Sequence, residues 1–181
     1  MEANGHDPGR AVRLVHALIF LGGTMAMGAA RAGTAGGTSD PVPIAVLDLD
    51  YIDTSGEVRD QRQEHEARLH QFSAALRTDL ARSGKYRIVT LDCGPAPCAT
   101  SDLQPSELID RARKAGAKLL LMGGIHKQST LIQWAKVQAV DVDTDRAVMD
   151  RLLTFRGDTD EAWNRAEAFV SAELTDLSSA R

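Results

Sequence analysis

Apolar positions along this chain follow two rhythms, one of strands and one of helices. "PIAVLDLDYI" opens after Pro43 on a near-continuous apolar run, residues 44–49, which predicts a buried strand. Leu69, Phe72, Leu76 and Leu80 then recur at three- and four-residue steps. That is the stripe of an amphipathic helix, and Gly84 stands where such a helix ends. The stretch ahead of the stripe, residues 61–66, is polar and reads as solvated. "YRIVTL", residues 86–91, predicts a second strand. Pro105 suits a first helical turn. Leu108, Ile109, Ala112 and Ala115 continue that helix, and Gly116 closes it. "AKLLLMGGIHK", "LIQWAKVQAVDV" and "AVMDRLLTFRG" predict three further strands, with residues 143–146 turning between the last two. Asp158 precedes Glu161 by three residues, a capping-box-like start. The helix it opens carries Trp163, Ala166, Val170 and Leu174 as its stripe.

The order of elements is therefore β-α-β-α-β-β-β-α. Two crossover helices imply parallel neighbours with right-handed connections. The last three strands imply an antiparallel meander. The expected fold is an α/β protein with a mixed five-stranded sheet and helices packed on it.

The first residues read differently. Arg10 and Arg13 precede an apolar run, residues 14–30, and "ARA" at residues 30–32 offers small side chains around a cleavage point. Gly22, Gly23 and Gly28 interrupt the run, which is short of the roughly 20 apolar residues of a spanning helix. Residues 1–32 are expected to be a cleaved signal peptide, residues 33–43 a flexible lead-in, and residues 44–177 a single domain. No cysteine sits at the cleavage point for lipid attachment. The expectation is a periplasmic or secreted bacterial protein, soluble after cleavage near Ala32 and without stable membrane insertion. The chain carries 21 basic and 25 acidic side chains. Without Arg10, Arg13, Arg31, Glu2 and Asp7 it keeps 18 and 23, a net charge of −5. An acidic domain with scattered arginines is poorly suited to nucleic acid.

Both cysteines, Cys93 and Cys98, lie in "LDCGPAPCATSD". Four residues separate them, where a redox pair has two, and a zinc site needs about four ligands. In an oxidising compartment they are expected to close a structural disulfide. Pro95 and Pro97 stiffen the turn between them.

"IAVLDLDYIDTSGE", "ALRTDLARSGKYRIV", "RKAGAKLLLMGGIHK" and "VQAVDVDTDRAVMDR" together resemble the TolB amino-terminal-like and CsgG-like periplasmic domains. "GGIHKQSTLIQWAKVQ" with "LLTFRGDTDEAWNRAEAF" also looks like a family of small secreted bacterial proteins of no assigned activity. No lipoprotein cysteine, pore-forming segment or propeller is expected, so neither a secretion-channel role nor the whole role of TolB is implied. The resemblance implies a non-enzymatic envelope binding or assembly module that contacts another, unidentified envelope protein, with self-association as a further partner choice. It implies no cofactor.

One sharper chemistry competes with this. Asp48 and Asp50 are two apart, so on a strand they share a face. Paired aspartates after an apolar first strand look like the nucleophile and acid of a magnesium-dependent haloacid-dehalogenase-type phosphatase. Thr90, Lys118 or Lys127, and "GDTD" at residues 157–160 would complete it. Tyr51 and Ile52 break that motif, and the chain after Gly123 reads as hairpins rather than the β-α-β units the enzyme needs. Three antiparallel strands there favour the module; a parallel strand with a crossover helix favours the enzyme. No metal site is expected. His65 and His70 lie on different faces of a helix. Asp48, Asp50, Asp53 and Glu57 lack calcium-loop spacing. Ser129 and Thr130 near His126 have no strained elbow around them. Gly123-Gly124 inside a strand suggests a bulge or a close backbone approach. Residues 126–130 read as a polar connection with exposed side chains. His126, Lys127, Ser129 and Trp134 are the candidate binding surface, although core use of the Trp134 ring is the commoner fate of such a residue.

Overall fold

The computed structural model describes residues 40–94, 98–101 and 103–179. The expected signal peptide, its cleavage point, the lead-in as far as residue 39, and Pro95 and Pro97 lie outside the described residues. Among those described, no helix is long and apolar enough to cross a membrane.

Among the described residues six strands form one mixed sheet, flanked by three helices. In chain order they are β1 (Val42–Val46), β2 (Asp50–Asp53), α1 (Arg62–Arg82), β3 (Tyr86–Val89), α2 (Pro105–Lys114), β4 (Leu119–Lys127), β5 (Ile132–Asp141), β6 (Arg146–Arg156) and α3 (Asp160–Ser179). The strands lie in the order β3-β1-β4-β5-β6, with β2 also paired to β4. β1 runs parallel to both β3 and β4, and β2 runs parallel to β4. β4, β5 and β6 form the expected antiparallel meander.

The sheet has one strand more than expected: the run at 44–49 is strand only as far as Val46, and β2 follows it at Asp50–Asp53, beyond the predicted strand. β1 pairs with the start of β4 and β2 with its end. Between them the Asp48 amide donates to the Cys98 carbonyl at 3.2 Å rather than to a sheet neighbour. Strand periodicity cannot register a break whose partner lies so far along the chain.

Each sheet face has its own core. α1 and α3 cover one face, where Phe72, Leu76, Leu80, Trp163, Val170 and Leu174 pack on Ile44, Leu121, Ile125 and Val137. Leu108 and Ala112 of α2 cover part of the other, over Ala45, Leu47, Leu120, Met122 and Val140. Gly84 and Gly116 follow the caps of α1 and α2 at φ +69 and +78, the left-handed residue that ends a helix. Gly123 is a close approach rather than a bulge. A Cβ there would lie 2.1 Å from the Lys136 carbonyl oxygen of β5. The register shift sits instead at Ala139/Val140.

Cys93 and Cys98 are joined as expected, with their Cα atoms 5.5 Å apart. The closed loop is short, so the entropic stabilisation is at most about 2 kcal/mol. Replacing both with serine is expected to lower the urea unfolding free energy by no more than that and to leave the circular dichroism spectrum unchanged.

Candidate functional site

α2 leaves half of its face of the sheet open. On the open half, His126 of β4 stands opposite Trp134 of β5, and Trp134 opposite Thr154 of β6. The His126 and Trp134 rings meet edge to face at 5.7 Å. His126 Nε2 and Thr54 Oγ1 share a 2.7 Å hydrogen bond. Around them lie Asp50, Ile52, Gly124, Lys136 and Leu152, forming a shallow depression. Ile52 is 58% exposed and Leu152 63%. Lys136 pairs with Asp150 at the rim. Gly124 keeps the floor low, since a Cβ there would press on the Asp50 backbone at 3.1 Å.

The four residues of the expected binding surface therefore separate. His126 and Trp134 come together on this face, half-buried. Ser129 is in the β4–β5 turn, where its Oγ accepts from the Ile132 amide at 3.2 Å. Lys127 points the other way, because strand side chains alternate and β4 extends through it. It is 0% exposed rather than on the surface. The connection is correspondingly shorter than expected, residues 128–131.

Sequence alone does not single out Ile52 and Leu152, although a signal exists. Leu152-Leu153 and Tyr51-Ile52 are adjacent apolar pairs in strands. One member of each must face away from the helix-covered core.

Beneath the helices Lys127 organises a polar cluster. Its Nζ donates to Glu57 Oε2, Gln61 Oε1 and Asp158 Oδ2, each at 2.7 Å. Asp158 also accepts from His65 Nε2 at 2.7 Å and from Arg68 Nη1 at 2.8 Å. Gln133 Nε2 bonds the Gly157 carbonyl at 3.0 Å. The Tyr51 ring packs against that of His65, tilted by 33° with centroids 4.8 Å apart. Burial opposes the charge of the Asp158 carboxyl, but hydrogen bonds from Lys127 and His65 outweigh it and hold the pKa down at about 2. Burial likewise opposes the charge of Lys127, and Asp158 and Glu57 more than restore it, so its pKa is raised. Burial, and secondarily the nearby carboxylates, push the Tyr51 phenol up.

Two expectations are corrected by this cluster. The stretch at 61–66 is not solvated throughout, since His65 is buried within it. Asp158 does not cap α3. Thr159 does, its Oγ1 accepting from the Ala162 amide at 3.3 Å, while Asp158 is held by Lys127. The cluster ties β4 to the starts of α1 and α3. Lys127 is enclosed and fully paired, which makes it a brace rather than a nucleophile.

The aspartates of the phosphatase reading also part. Asp48 pairs with Arg77 of α1 at 2.7 Å. Asp50 accepts from the Thr100 hydroxyl and from the Ser101 amide, the latter at 3.3 Å. Asp53 accepts from the Ser55 amide, and Glu57 from Lys127. Among the described residues no three His, Cys, Asp or Glu side chains converge as metal ligands. The antiparallel β4–β5–β6 meander stands where β-α-β units would be required.

The chain belongs to the DUF3280 family, whose model, described as "Protein of unknown function (DUF2380)", matches residues 42–173. No curated protein matches it significantly. Among solved structures, the hypothetical protein CT253 from Chlamydia trachomatis is 12% identical at a TM-score of 0.52, covering 77% of this chain and 99% of that one. The PelC dodecamer from Paraburkholderia phytofirmans is 12% identical at a TM-score of 0.50, covering 77% and 89%. TolB from Acinetobacter baumannii is 20% identical at a TM-score of 0.49; 77% of this chain is covered, but only 28% of the TolB chain. At these identities the likeness to CT253 and PelC is one of fold.

Proposed function

We propose that this member of the DUF3280 family is an exported, non-catalytic binding and assembly module of the bacterial envelope, which contacts a second copy of itself through the open half of its sheet. In this reading residues 1–32 are removed on export, residues 33–43 are a flexible lead-in, and the domain at 44–177 is soluble in the periplasm or medium. The TolB-like and CsgG-like sequence resemblance supports the envelope placement.

The observation that carries the contact is the patch of Ile52, His126, Trp134 and Leu152. These side chains lie side by side on a sheet face that the chain's own helix leaves open. An aromatic anchor with aliphatic neighbours and a charged rim is the anatomy of a protein interface. The rim suits a self-contact, since it offers both a cation, Lys136, and an anion, Asp150. Two copies can exchange that pair without leaving a charge unmatched. PelC, which shares the fold, is a dodecamer, which favours a second copy over an unrelated envelope protein as occupant.

Sedimentation equilibrium of the purified protein tests this. The wild type is expected to self-associate in a concentration-dependent way. Trp134→Ala is expected to weaken association by about 2 kcal/mol or more, roughly 30-fold in the dissociation constant. Leu152→Asp is expected to do the same while changing folding stability by only about 0.5 kcal/mol, since its side chain is exposed. A wild type that stays monomeric at every concentration would refute the reading.

A further inference from the structure

β1 and β3 are parallel neighbours, so their carboxyl ends lie side by side at one edge of the sheet. β1 hands on to β2 through residues 47–49, and β3 leads into the loop closed by Cys93 and Cys98. A crevice opens above these two carboxyl ends, the edge of a parallel sheet at which open α/β sheets hold ligands. Here that crevice has a volume of about 390 Å³, near the small end of the range for ligand sites. Leu47, Ile88 and Leu91 line it with apolar surface, and Asp48, Arg77, Thr90 and Asp92 with polar groups.

Its rim is fixed from several sides. The disulfide closes the loop beside it. The Asp48 amide is held by the Cys98 carbonyl, and the Asp92 carbonyl by Arg111 Nη1 at 2.7 Å. The Gly94 amide donates to Asp92 Oδ1 at 3.0 Å. Arg77 spends Nε and Nη2 on the Val46 carbonyl and Asp48 Oδ1. Among the described residues, Arg77 Nη1, Asp48 Oδ2, Asp92 Oδ2 and the Thr90 hydroxyl make no hydrogen bond to protein. Donors for an anionic group thus stand in one small crevice with acceptors for an ammonium. A simple anion would meet an arginine already neutralised by Asp48 and, beyond it, Asp92. A simple cation would meet the arginine. A small zwitterion satisfies both signs.

We infer that the crevice at the carboxyl ends of β1 and β3 binds a free α-amino acid, with its carboxylate on Arg77 and Thr90 and its ammonium on Asp48 and Asp92. The site is separate from the open sheet face and does not rest on the assembly reading. It also gives the Cys93–Cys98 bridge a task, that of holding the rim.

The test is a titration of the ¹⁵N-labelled protein, expressed with its own amino-terminal segment, with each of the twenty free amino acids. Acetate and methylammonium serve as half-ligand controls. At least one amino acid is expected to shift amides at residues 46–48 and 90–94 saturably, and neither control to do so. Arg77→Gln is expected to weaken that binding tenfold or more. Should that variant unfold, Asp92→Asn decides, because its amide oxygen can still accept from Gly94; it too is expected to weaken binding tenfold or more. No saturable shift with any amino acid, equal shifts with acetate, or undiminished binding by Asp92→Asn would overturn the inference.

Discussion

Replacing Lys127 with alanine is expected to lower the stability of the fold by about 3–5 kcal/mol, the cost of removing one partner from a buried ion pair. The ammonium is fully enclosed, and Asp158, 10% exposed, loses its closest cation with it. His65 and Arg68 remain on Asp158, so the carboxylate is not wholly abandoned, which argues for the lower half of that range. Lys127→Met separates charge from packing. It keeps most of the side-chain volume, so a loss close to that of alanine assigns the effect to the cluster, and a much smaller loss assigns it to the cavity. Urea unfolding at neutral pH reads both. The pH dependence follows from Asp158, whose folded pKa is depressed. Its contribution is present above the ordinary carboxylate value of 3.8 and is lost as pH falls through about 2.

Glu167→Gln is expected to act in the opposite direction. Glu167 lies on α3 toward α1, 5% exposed, and its Oε1 has no hydrogen-bond partner. Burial, with the charge of Asp79 behind it, pushes the carboxyl from 4.5 up to about 7. A raised folded pKa means that the native state holds a proton the unfolded chain releases. The stability this group contributes is full below pH 4.5 and is lost as pH rises through about 7. At pH 8 the wild type therefore lacks roughly 3 kcal/mol of the stability it has below pH 4.5, since moving a pKa by one is worth about 1.4 kcal/mol. Glutamine has nearly the same shape and no proton to lose. It should raise the thermal midpoint at pH 8 and change it little at pH 4.5. A gain of equal size at both pH values would show that the charge of Glu167 is not the cause.

These two sites mark where sequence reading stops. Leu69, Phe72, Leu76 and Leu80 announce α1 because every member of the stripe needs the same thing, an apolar neighbour, and the spacing alone says where. Alternation does the same for β5, and the glycines at 84 and 116 reveal their role because few other residues take positive φ. His65 and Lys127 carry no such signal. Each looks like a solvated side chain until a partner arrives from a distant part of the chain, Asp158 being 93 residues from His65. Asp158 in turn is indistinguishable from a helix cap in sequence, since either role asks only for a carboxylate ahead of α3. The candidate surface is legible in part. His126 and Trp134 pair once the hairpin is granted, but Ile52 comes from β2, which lies beyond the apolar run at 44–49 and which that run does not announce. The open half of the sheet depends on how far α2 reaches across it, and a 10-residue helix does not state that in advance.

A photocrosslinking amino acid placed at Leu152, in the protein exported by living cells, reads out the meeting of two open sheet faces itself. The crosslinked species would be identified by mass spectrometry of its peptides, with the same probe at exposed Glu161 on α3 as control. The expected result is an adduct between two copies of this chain from position 152 and none from position 161. Adducts at 152 made only with other proteins, or no adduct at all, would rule out the self-contact.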